Sequence, residues 1–189
     1  MNRILLINPW IHDFAAHDLW ARPLGLLCLA GVIRDLGAEP VLIDCTDRHH
    51  PSLPERPFRP RRFSTGKYPS EEIAKPDALG FVPRRYKHYG ISPEAFRADL
   101  DSIGSPVPKL ILVGSRMTHW YPGVQAAIAI VRERFPHSTI ALGGVYPTLY
   151  PNHAKRYTGA DVIIRGEGEN APARLIGEAF DRSGPSRRY

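Results

Sequence analysis

The chain has 189 residues, a length that suits one folded domain, and its formal net charge is +6. Because 43% of its residues are hydrophobic, wholesale disorder is excluded. Its two cysteines exclude a disulfide framework, a four-thiolate metal site and the three thiolates that an iron–sulfur cluster needs. Its apolar runs are too short to cross a bilayer and its N-terminus lacks the features of a signal peptide, so we expect a cytoplasmic protein with no membrane partner.

The predicted elements alternate between strands and helices. Short continuous apolar runs predict buried parallel strands, and apolar residues spaced three and four apart predict helices. In chain order the elements are a strand at 4–7, a helix at 24–36, a strand at 41–43, a helix at 93–103 capped by Ser92, a strand at 110–113, a helix at 122–135, a strand at 140–142, a short helix at 151–157, a strand at 162–164 and a last helix around 175–180.

The first predicted helix is the most apolar of these helices. Its apolar residues cover most of the circumference, which predicts a buried helix that begins at Pro23 and ends at Gly37 in a left-handed cap. Cys28 lies in this apolar stripe and Cys45 follows the second strand. We therefore expect both thiols to be structural.

Residues 46–108 interrupt the alternation. Within 46–90, ten Arg or Lys stand against five Asp or Glu, so this segment holds +5 of the net charge, and it also holds seven prolines. Such a long stretch without apolar periodicity predicts an irregular insertion that is functional, a contact surface or a tolerated surface excursion. A basic segment alone is weak support for nucleic-acid binding, which we do not expect. His49 and His50 are interpreted as a solvated loop, since no third metal ligand is near.

Strands that alternate with helices imply a parallel sheet with right-handed crossovers. The predicted fold class is α/β, a flavodoxin-like (Rossmann-type) doubly wound parallel five-stranded sheet of order 2-1-3-4-5, with an irregular basic insertion after strand two. In that order, ligands bind beyond the carboxyl ends of the strands, at the switch point between the first and third strands. The loops at this edge are 8–22, 114–121, 143–150 and 166–170.

All three tryptophans, Trp10, Trp20 and Trp120, fall in the first two of these loops. Aromatic side chains clustered at a switch point favour a large planar ligand. The alternative is that they cover the end of the sheet as a satellite core.

Glycines end the third, fourth and fifth strands. Gly114 precedes Ser115, whose hydroxyl and backbone N–H suit an anion or a polar ring, and the glycine pair at 143–144 leaves no side chain between backbone and ligand. The alternative for the pair is an ordinary tight turn. Glu167 or Glu169 could accept a sugar hydroxyl, and Glu169 could equally cap the last helix. Dinucleotide, P-loop and nucleophile-elbow motifs are absent from the sequence.

In this order and spacing, six segments resemble the N-terminal cobalamin (vitamin B12)-binding domain of cobalamin-dependent radical SAM proteins. The segments are Leu5–Pro9, Arg22–Leu27, Leu42–Asp44, Gly114–Gly123, Leu142–Tyr146 and Ile164–Glu169. The resemblance covers residues 1–180, with 181–189 as a tail or the start of a linker, and it implies a domain that holds cobalamin at the switch point. The cofactor-binding residues that it implies are Asn8, Pro9, Trp10, Gly114, Ser115, Arg116, Met117, Gly143, Gly144, Val145, Gly166 and Glu167.

The resemblance also implies where parts of the cofactor would lie. Ser115 and the pair 143–144 would line a slot for the nucleotide tail, and the corrin would lie across the loop after the first strand, near Asn8-Pro9-Trp10. Many cobalamin domains carry D-x-H-x-x-G there, and its histidine ligates cobalt. Here the segment reads Asn8–Asp13 without that spacing, which implies a base-off cofactor without a histidine ligand. His12 stays a candidate neighbour of the cobalt.

In the resembled family, a radical SAM barrel follows and opens with C-x-x-x-C-x-x-C, a motif that these residues do not contain. The [4Fe–4S] cluster and S-adenosylmethionine would therefore belong to a barrel that is a missing C-terminal part or a separate chain, and this chain is not catalytic alone. The implied function is a cobalamin-binding, methyltransferase-associated module of a radical SAM system. The alternatives are a degenerate non-catalytic α/β domain that binds a protein partner, and a flavin- or nucleotide-binding flavodoxin-like protein.

Overall fold

The structure is a computed structural model, and it describes residues 2–18, 22–53, 66–168 and 171–180. The strands in these ranges are β1 (Arg3–Asn8), β2 (Ile11–Asp13), β3 (His17–Asp18), β4 (Glu39–Asp44), β5 (Gly66–Lys67), β6 (Ser70–Glu72), β7 (Lys87–Tyr89), β8 (Leu110–Ser115), β9 (Thr139–Gly144) and β10 (Val162–Ile163). The helices are α1 (Leu24–Asp35), α2 (Pro93–Ser102), α3 (Tyr121–Arg134), α4 (Val145–Leu149), α5 (Pro151–Tyr157) and α6 (Ala171–Phe180). None of the described helices combines the length and the apolarity needed to cross a membrane.

Five parallel strands form the central sheet, in the order β4-β1-β8-β9-β10. In the numbering of the five predicted strands this order is 2-1-3-4-5, so the doubly wound α/β sheet is confirmed. Leu5 of β1 lies opposite Val41 of β4 on one side and Ile111 of β8 on the other. The topological switch point therefore lies between β1 and β8.

The two faces of the sheet are covered by different helices. Leu5 and Ile7 of β1 belong to the apolar core beside α2 and α3, and Ile4 and Leu6 belong to the core beside α1 and α6. Successive side chains of a strand point to opposite faces, and all four of these are fully buried. The continuous apolar run that predicts β1 thus reflects a strand covered on both sides.

Apolar periodicity predicts the long elements within a few residues. The helix at 151–157 coincides with α5, and the helix at 93–103 corresponds to α2, where Ser92 Oγ accepts a hydrogen bond from the Ala95 N–H at 3.2 Å. Gly37 has a φ of 76°, the left-handed conformation expected after α1. The five-residue helix α4 is not predicted, because it is too short to show a period.

The prediction that α1 is a buried helix is wrong. Leu26 and Ile33 are buried, whereas Leu24 and Leu27 are 69% and 44% exposed and Cys28 is exposed. The helix lies in an outer layer with one face on the sheet, so the leucines of its other face meet solvent. Apolar residues on all sides of a helix allow it to be buried. The packing of the layers decides which side of the helix is actually buried. Cys28 is therefore not a core thiol.

The insertion is more regular than the sequence predicts. Within its described part, β6 and β7 pair antiparallel with each other and β7 pairs with β2, while β5 pairs with β3. These strands are two or three residues long and mostly polar, so the sequence shows no alternation there. A buried ion pair between Asp18 Oδ2 and Arg48 Nε, at 3.1 Å, joins β3 to the start of the insertion. The Pro- and Arg-rich residues 54–65 and the predicted tail 181–189 lie outside the described residues.

The loop after β4 is tied to the rest of the fold. Cys45 is fully buried, as expected, and burial raises the pKa of its thiol. His50 is not the solvated residue expected, because its Nε2 lies 3.1 Å from a carboxylate oxygen of Asp99 in α2. The contact across the two elements half-buries the imidazole.

Candidate functional site

A cavity of about 400 Å³ opens at the carboxyl edge of the sheet, between the ends of β1, β8 and β9 and the first turns of α1. Small-molecule sites typically have volumes of about 300–1,000 Å³. The cavity lies at the switch point, on the face of the sheet that α1 and α6 cover. Eight of the twelve residues implied for the cofactor line it, namely Asn8, Gly114, Ser115, Arg116, Gly143, Gly144, Val145 and Gly166.

Glycines form much of the cavity wall. Because they have no side chain, ligand atoms can approach the backbone along this wall. Gly144 is also required by the backbone conformation after β9. Its φ is 108°, and a Cβ there would overlap the carbonyl oxygen of Ser115. At Gly25 in α1, an added Cβ would meet no atom of the described residues within 4 Å. The glycines on the wall are Gly25, Gly114, Gly143, Gly144, Gly166 and Gly168.

Ser115 brings a buried polar group to the cavity. The residue ends β8, lines the cavity and is 5% exposed. Its Oγ is buried and has no hydrogen-bond partner within the described part of the chain. A buried hydroxyl without a partner costs about 1–3 kcal/mol. A ligand that offers a donor or an acceptor to this atom would recover that free energy.

The charged side chains on the described cavity wall are two arginines, Arg22 and Arg116. Arg116 lies with its guanidinium carbon 5.5 Å from the ring centroid of Trp120. The wall is therefore cationic as well as apolar.

Side-chain hydrogen bonds fix the loops around the cavity. Thr148 Oγ1 donates to the Gly144 carbonyl oxygen at 2.7 Å and accepts from the Gly166 N–H at 2.9 Å, so it joins the loops after β9 and β10. Asn8 Nδ2 donates to Asp44 Oδ1 at 2.6 Å and ties the end of β1 to the end of β4. Loops held in this way lose little conformational entropy when a ligand binds.

Four of the implied cofactor residues do not line this cavity: Pro9, Trp10, Met117 and Glu167. Trp10 is 2% exposed and packs edge-on against Phe96 of α2, with ring centroids 5.1 Å apart. The interpretation of the tryptophans as a ligand face is therefore wrong for Trp10, whose large side chain fills the core beside α2 and α3. The satellite-core alternative describes it better.

The other two tryptophans do not restore that interpretation. Trp120 Nε1 donates to Asp13 Oδ2 at 2.9 Å, and the ring packs against the cluster around Ile11 and Tyr89. Trp20 lies outside the described residues, as does Glu169, which the sequence offers as a sugar ligand or a helix cap.

His12 is held in a chain of hydrogen bonds. Its Nε2 lies 3.0 Å from His88 Nδ1, and His88 Nε2 lies 2.8 Å from the carbonyl oxygen of Ile91. The carbonyl can only accept, so we assign the proton of His88 to Nε2 and let its Nδ1 accept from His12. Burial, and then the neighbouring His88, lower the pKa of His12 to about 4. His12 does not line the cavity, so it is not placed as a neighbour of a cobalt bound there.

No cluster of three or more His, Cys, Asp or Glu is placed to hold a metal ion among the residues that the structure describes. The described residues therefore provide no set of side chains that could coordinate a metal ion directly.

Several residues that line the cavity are missing from the sequence-based set, among them Arg22, Gly25 and Gly168. A glycine inside an apolar helix next to a ligand loop is a signal that could have identified Gly25, because glycine weakens a helix unless its missing side chain is useful.

Over 71 residues, which are 36% of its length, the chain is 39% identical to the anaerobic magnesium-protoporphyrin IX monomethyl ester cyclase of Synechocystis sp.. The matched stretch is 14% of that protein. No family model matches the chain. The similarity supports a distant relation to radical SAM proteins, and it does not show a cobalamin-binding domain.

Proposed function

We propose that this chain is a cobalamin-binding module of a radical SAM methyltransferase-like system, and that it holds cobalamin base-off at the carboxyl ends of the strands. The observation that supports this most directly is Ser115, a buried hydroxyl on a glycine-lined cavity at the switch point, with no hydrogen-bond partner among the described residues. The sequence resemblance implies that the nucleotide tail lies against this serine and the glycine pair at 143–144. The partial similarity to a radical SAM enzyme agrees with the proposal.

The size of the cavity suits the nucleotide tail and not the whole cofactor. A volume of about 400 Å³ accommodates a nucleotide-sized group, whereas a complete corrinoid is much larger. The corrin would therefore lie outside, against the rim. Two apolar side chains of the rim, Leu24 and Val145, are 69% and 50% exposed. Covering them would remove apolar area from water, which favours binding.

The residues of the chain would bind and orient the cofactor. Ser115 Oγ would exchange a hydrogen bond with a polar atom of the tail, and the glycines would let the tail approach the backbone. When bound, cobalamin supplies methyl-transfer chemistry at its cobalt, while the protein orients it and excludes water. Because His12 does not line the cavity, the site suits a cofactor without a histidine ligand from β2.

The partner that this proposal requires is a radical SAM barrel, within a longer protein or in a separate chain. The barrel would hold the [4Fe–4S] cluster and S-adenosylmethionine, because the two cysteines here cannot supply three thiolates. The two cysteines also differ in solvent exposure, since Cys45 is buried and Cys28 is exposed.

Titration with hydroxocobalamin tests the proposal. We expect a saturable change in the visible spectrum and co-elution of cobalamin with the protein in gel filtration. Ser115→Ala should weaken binding about tenfold without loss of stability, because the variant removes a buried hydroxyl that has no partner in the described part of the chain. Ser102→Ala, at an exposed site of α2, is the matched control and should bind as the wild type does. Failure of the wild-type chain to retain cobalamin would contradict the proposal.

A second candidate function is favoured by the exposed leucines of α1 and of the edge strand β4. Leu24, Leu27 and Leu36 are 69%, 44% and 45% exposed, and Leu42 is 37% exposed. Such a surface favours contact with another protein. It therefore supports the alternative hypothesis, in which this chain is a non-catalytic α/β domain that binds a protein partner. It predicts no retention of cobalamin. A flavin-binding protein would instead show flavin absorbance after purification.

A further inference from the structure

We propose that β4 is a dimerisation edge, at which a second copy of this chain pairs its own β4 antiparallel. The pairing would join the two central sheets into one continuous sheet across a two-fold axis. This inference goes beyond the proposed function and does not depend on it, because no residue of β4 lines the cavity proposed for cobalamin.

The outer side of β4 presents backbone groups to a further strand. β4 lies at the edge of the central sheet, and within the described residues its only neighbour in that sheet is β1. The Glu39 N–H donates to the Asn2 carbonyl oxygen at 2.8 Å, so Glu39 faces β1. The backbone groups of successive residues point to alternate sides of a strand, which directs those of Pro40, Leu42 and Asp44 outward. An edge of this kind is a template for another strand.

The outward groups fit a second copy of the same strand. Pro40 has no N–H, and the Asp44 carbonyl oxygen already accepts from the Asp47 N–H at 3.0 Å. In an antiparallel pair centred on Leu42, Pro40 of one copy lies opposite Asp44 of the other. The position without a donor then faces the acceptor that is already engaged.

The remaining outward groups form hydrogen bonds in this register. The N–H of each Leu42 donates to the carbonyl oxygen of the other Leu42, and the N–H of each Asp44 donates to the carbonyl oxygen of the opposite Pro40. Each outward N–H of β4 thus receives an acceptor. The edge is therefore complementary to itself, as a two-fold interface requires.

The side chains beside this edge favour the same contact. Val41 and Ile43 pack in the core beside α2 and α3, so Leu42 points to the face of α1, where it is 37% exposed. Leu27 of α1 is 44% exposed and lines, with Leu42, a groove of about 700 Å³ along β4. In the dimer the two Leu42 side chains meet at the axis with Leu27 of each copy beside them, and apolar area leaves water.

Sedimentation equilibrium of the full chain without cobalamin tests the proposal. At about 100 μM we expect a mass twice the 21.2 kDa of one chain. Leu42→Lys and Leu42→Glu should each be monomeric, because each places two like charges opposite one another at the axis. An equimolar mixture of these two variants should restore the dimer, since lysine then faces glutamate. Leu149→Lys, at a 61% exposed leucine of α4, is the matched control and should stay dimeric.

A disulfide tests the register without charged variants. In this kind of antiparallel pair the two Cα atoms lie about 5.5 Å apart, within the range of about 4.4–6.8 Å that disulfides span. Leu42→Cys should therefore form a covalent dimer on oxidation, seen on a non-reducing gel. The background is Cys28→Ser, which removes the exposed native thiol. Leu149→Cys in the same background should stay monomeric on the gel.

Each outcome decides the inference. A monomeric wild type at this concentration overturns the dimer. A dimer that persists in both charged variants overturns the assignment to β4. If their mixture stays monomeric, or if Leu42→Cys forms no more covalent dimer than Leu149→Cys, the two-fold register is overturned. Restoration of the dimer in the mixture supports a second copy as the partner, because only a copy of β4 places residue 42 opposite itself.

Discussion

The two faces of the central sheet differ at its carboxyl edge. On the face of α1 and α6, glycines and a serine leave a cavity of about 400 Å³. On the face of α2 and α3, the same strand ends meet large side chains, with Trp10, Phe96 and Tyr146 each at most 2% exposed. The backbone topology is shared by both faces. Side-chain volume therefore decides which face of a switch point can take a ligand.

The insertion also contributes differently to the filled face and the open face of the sheet. Its strand β7 pairs with β2 and brings His88 against Trp10, with ring centroids 5.0 Å apart, so it helps to close the filled face. No described residue of the insertion lines the cavity on the open face. The segment thus helps to close one side of the edge and leaves the other side open.

Removal of the largest side chain on the filled face should have the largest effect. Trp10→Ala should lower the free energy of unfolding by about 4 kcal/mol, because the indole is buried and its loss leaves a void in a packed core. Leu24→Ala on the open face, where the side chain is 69% exposed, should cost less than about 1 kcal/mol. Urea unfolding of both variants measures the difference, and equal costs would contradict the division between a filled and an open face.

The glycines of the open face should also differ from one another. Gly144→Ala should cost about 3 kcal/mol, because φ is 108° and the new Cβ overlaps the Ser115 carbonyl oxygen. Gly166 has a φ of 73°, and a new Cβ there meets no atom of the described residues within 4 Å, so Gly166→Ala should cost about 1 kcal/mol. Thermal and urea unfolding check this order. Similar losses at both positions would mean that the close approach at Gly144 is not a constraint.

The filled face should also show a pH dependence. The pKa of His12 falls from 6.5 to about 4 on folding, so between these values the unfolded chain binds a proton that the folded chain does not. The resulting stability is complete above pH 6.5 and is lost as the pH falls to about 4, by roughly 2 kcal/mol for this partly exposed ring. Urea unfolding across this range should show the loss in the wild type and a smaller one in His12→Gln. His17→Gln, at an exposed histidine of β3, is the control and should behave as the wild type does.

The sequence predicts the sheet well because the strands at Leu5 and Ile111 are continuous apolar runs, a local property. It also identifies Ser115 and Gly144 at the strand ends, because topology brings the carboxyl ends of parallel strands to one edge. It cannot tell which face of that edge is open. That depends on where Trp10 packs, and the contact of Trp10 with Phe96 joins residues distant in sequence.

The central claim is that the glycine-lined cavity binds cobalamin, and a pair of α1 variants tests it most directly. Gly25 and Gly31 lie on the same helix, and an added Cβ meets no atom of the described residues within 4 Å at either position, but only Gly25 lines the cavity. Leucine is a better helix former than glycine, which is about 0.8–1.0 kcal/mol less favourable than alanine inside a helix, so we expect both variants to fold.

Spectral titration with hydroxocobalamin should give a dissociation constant at least about tenfold higher for Gly25→Leu and an unchanged one for Gly31→Leu, since only the first leucine fills the cavity. Equal affinities of Gly25→Leu and the wild type would contradict the claim.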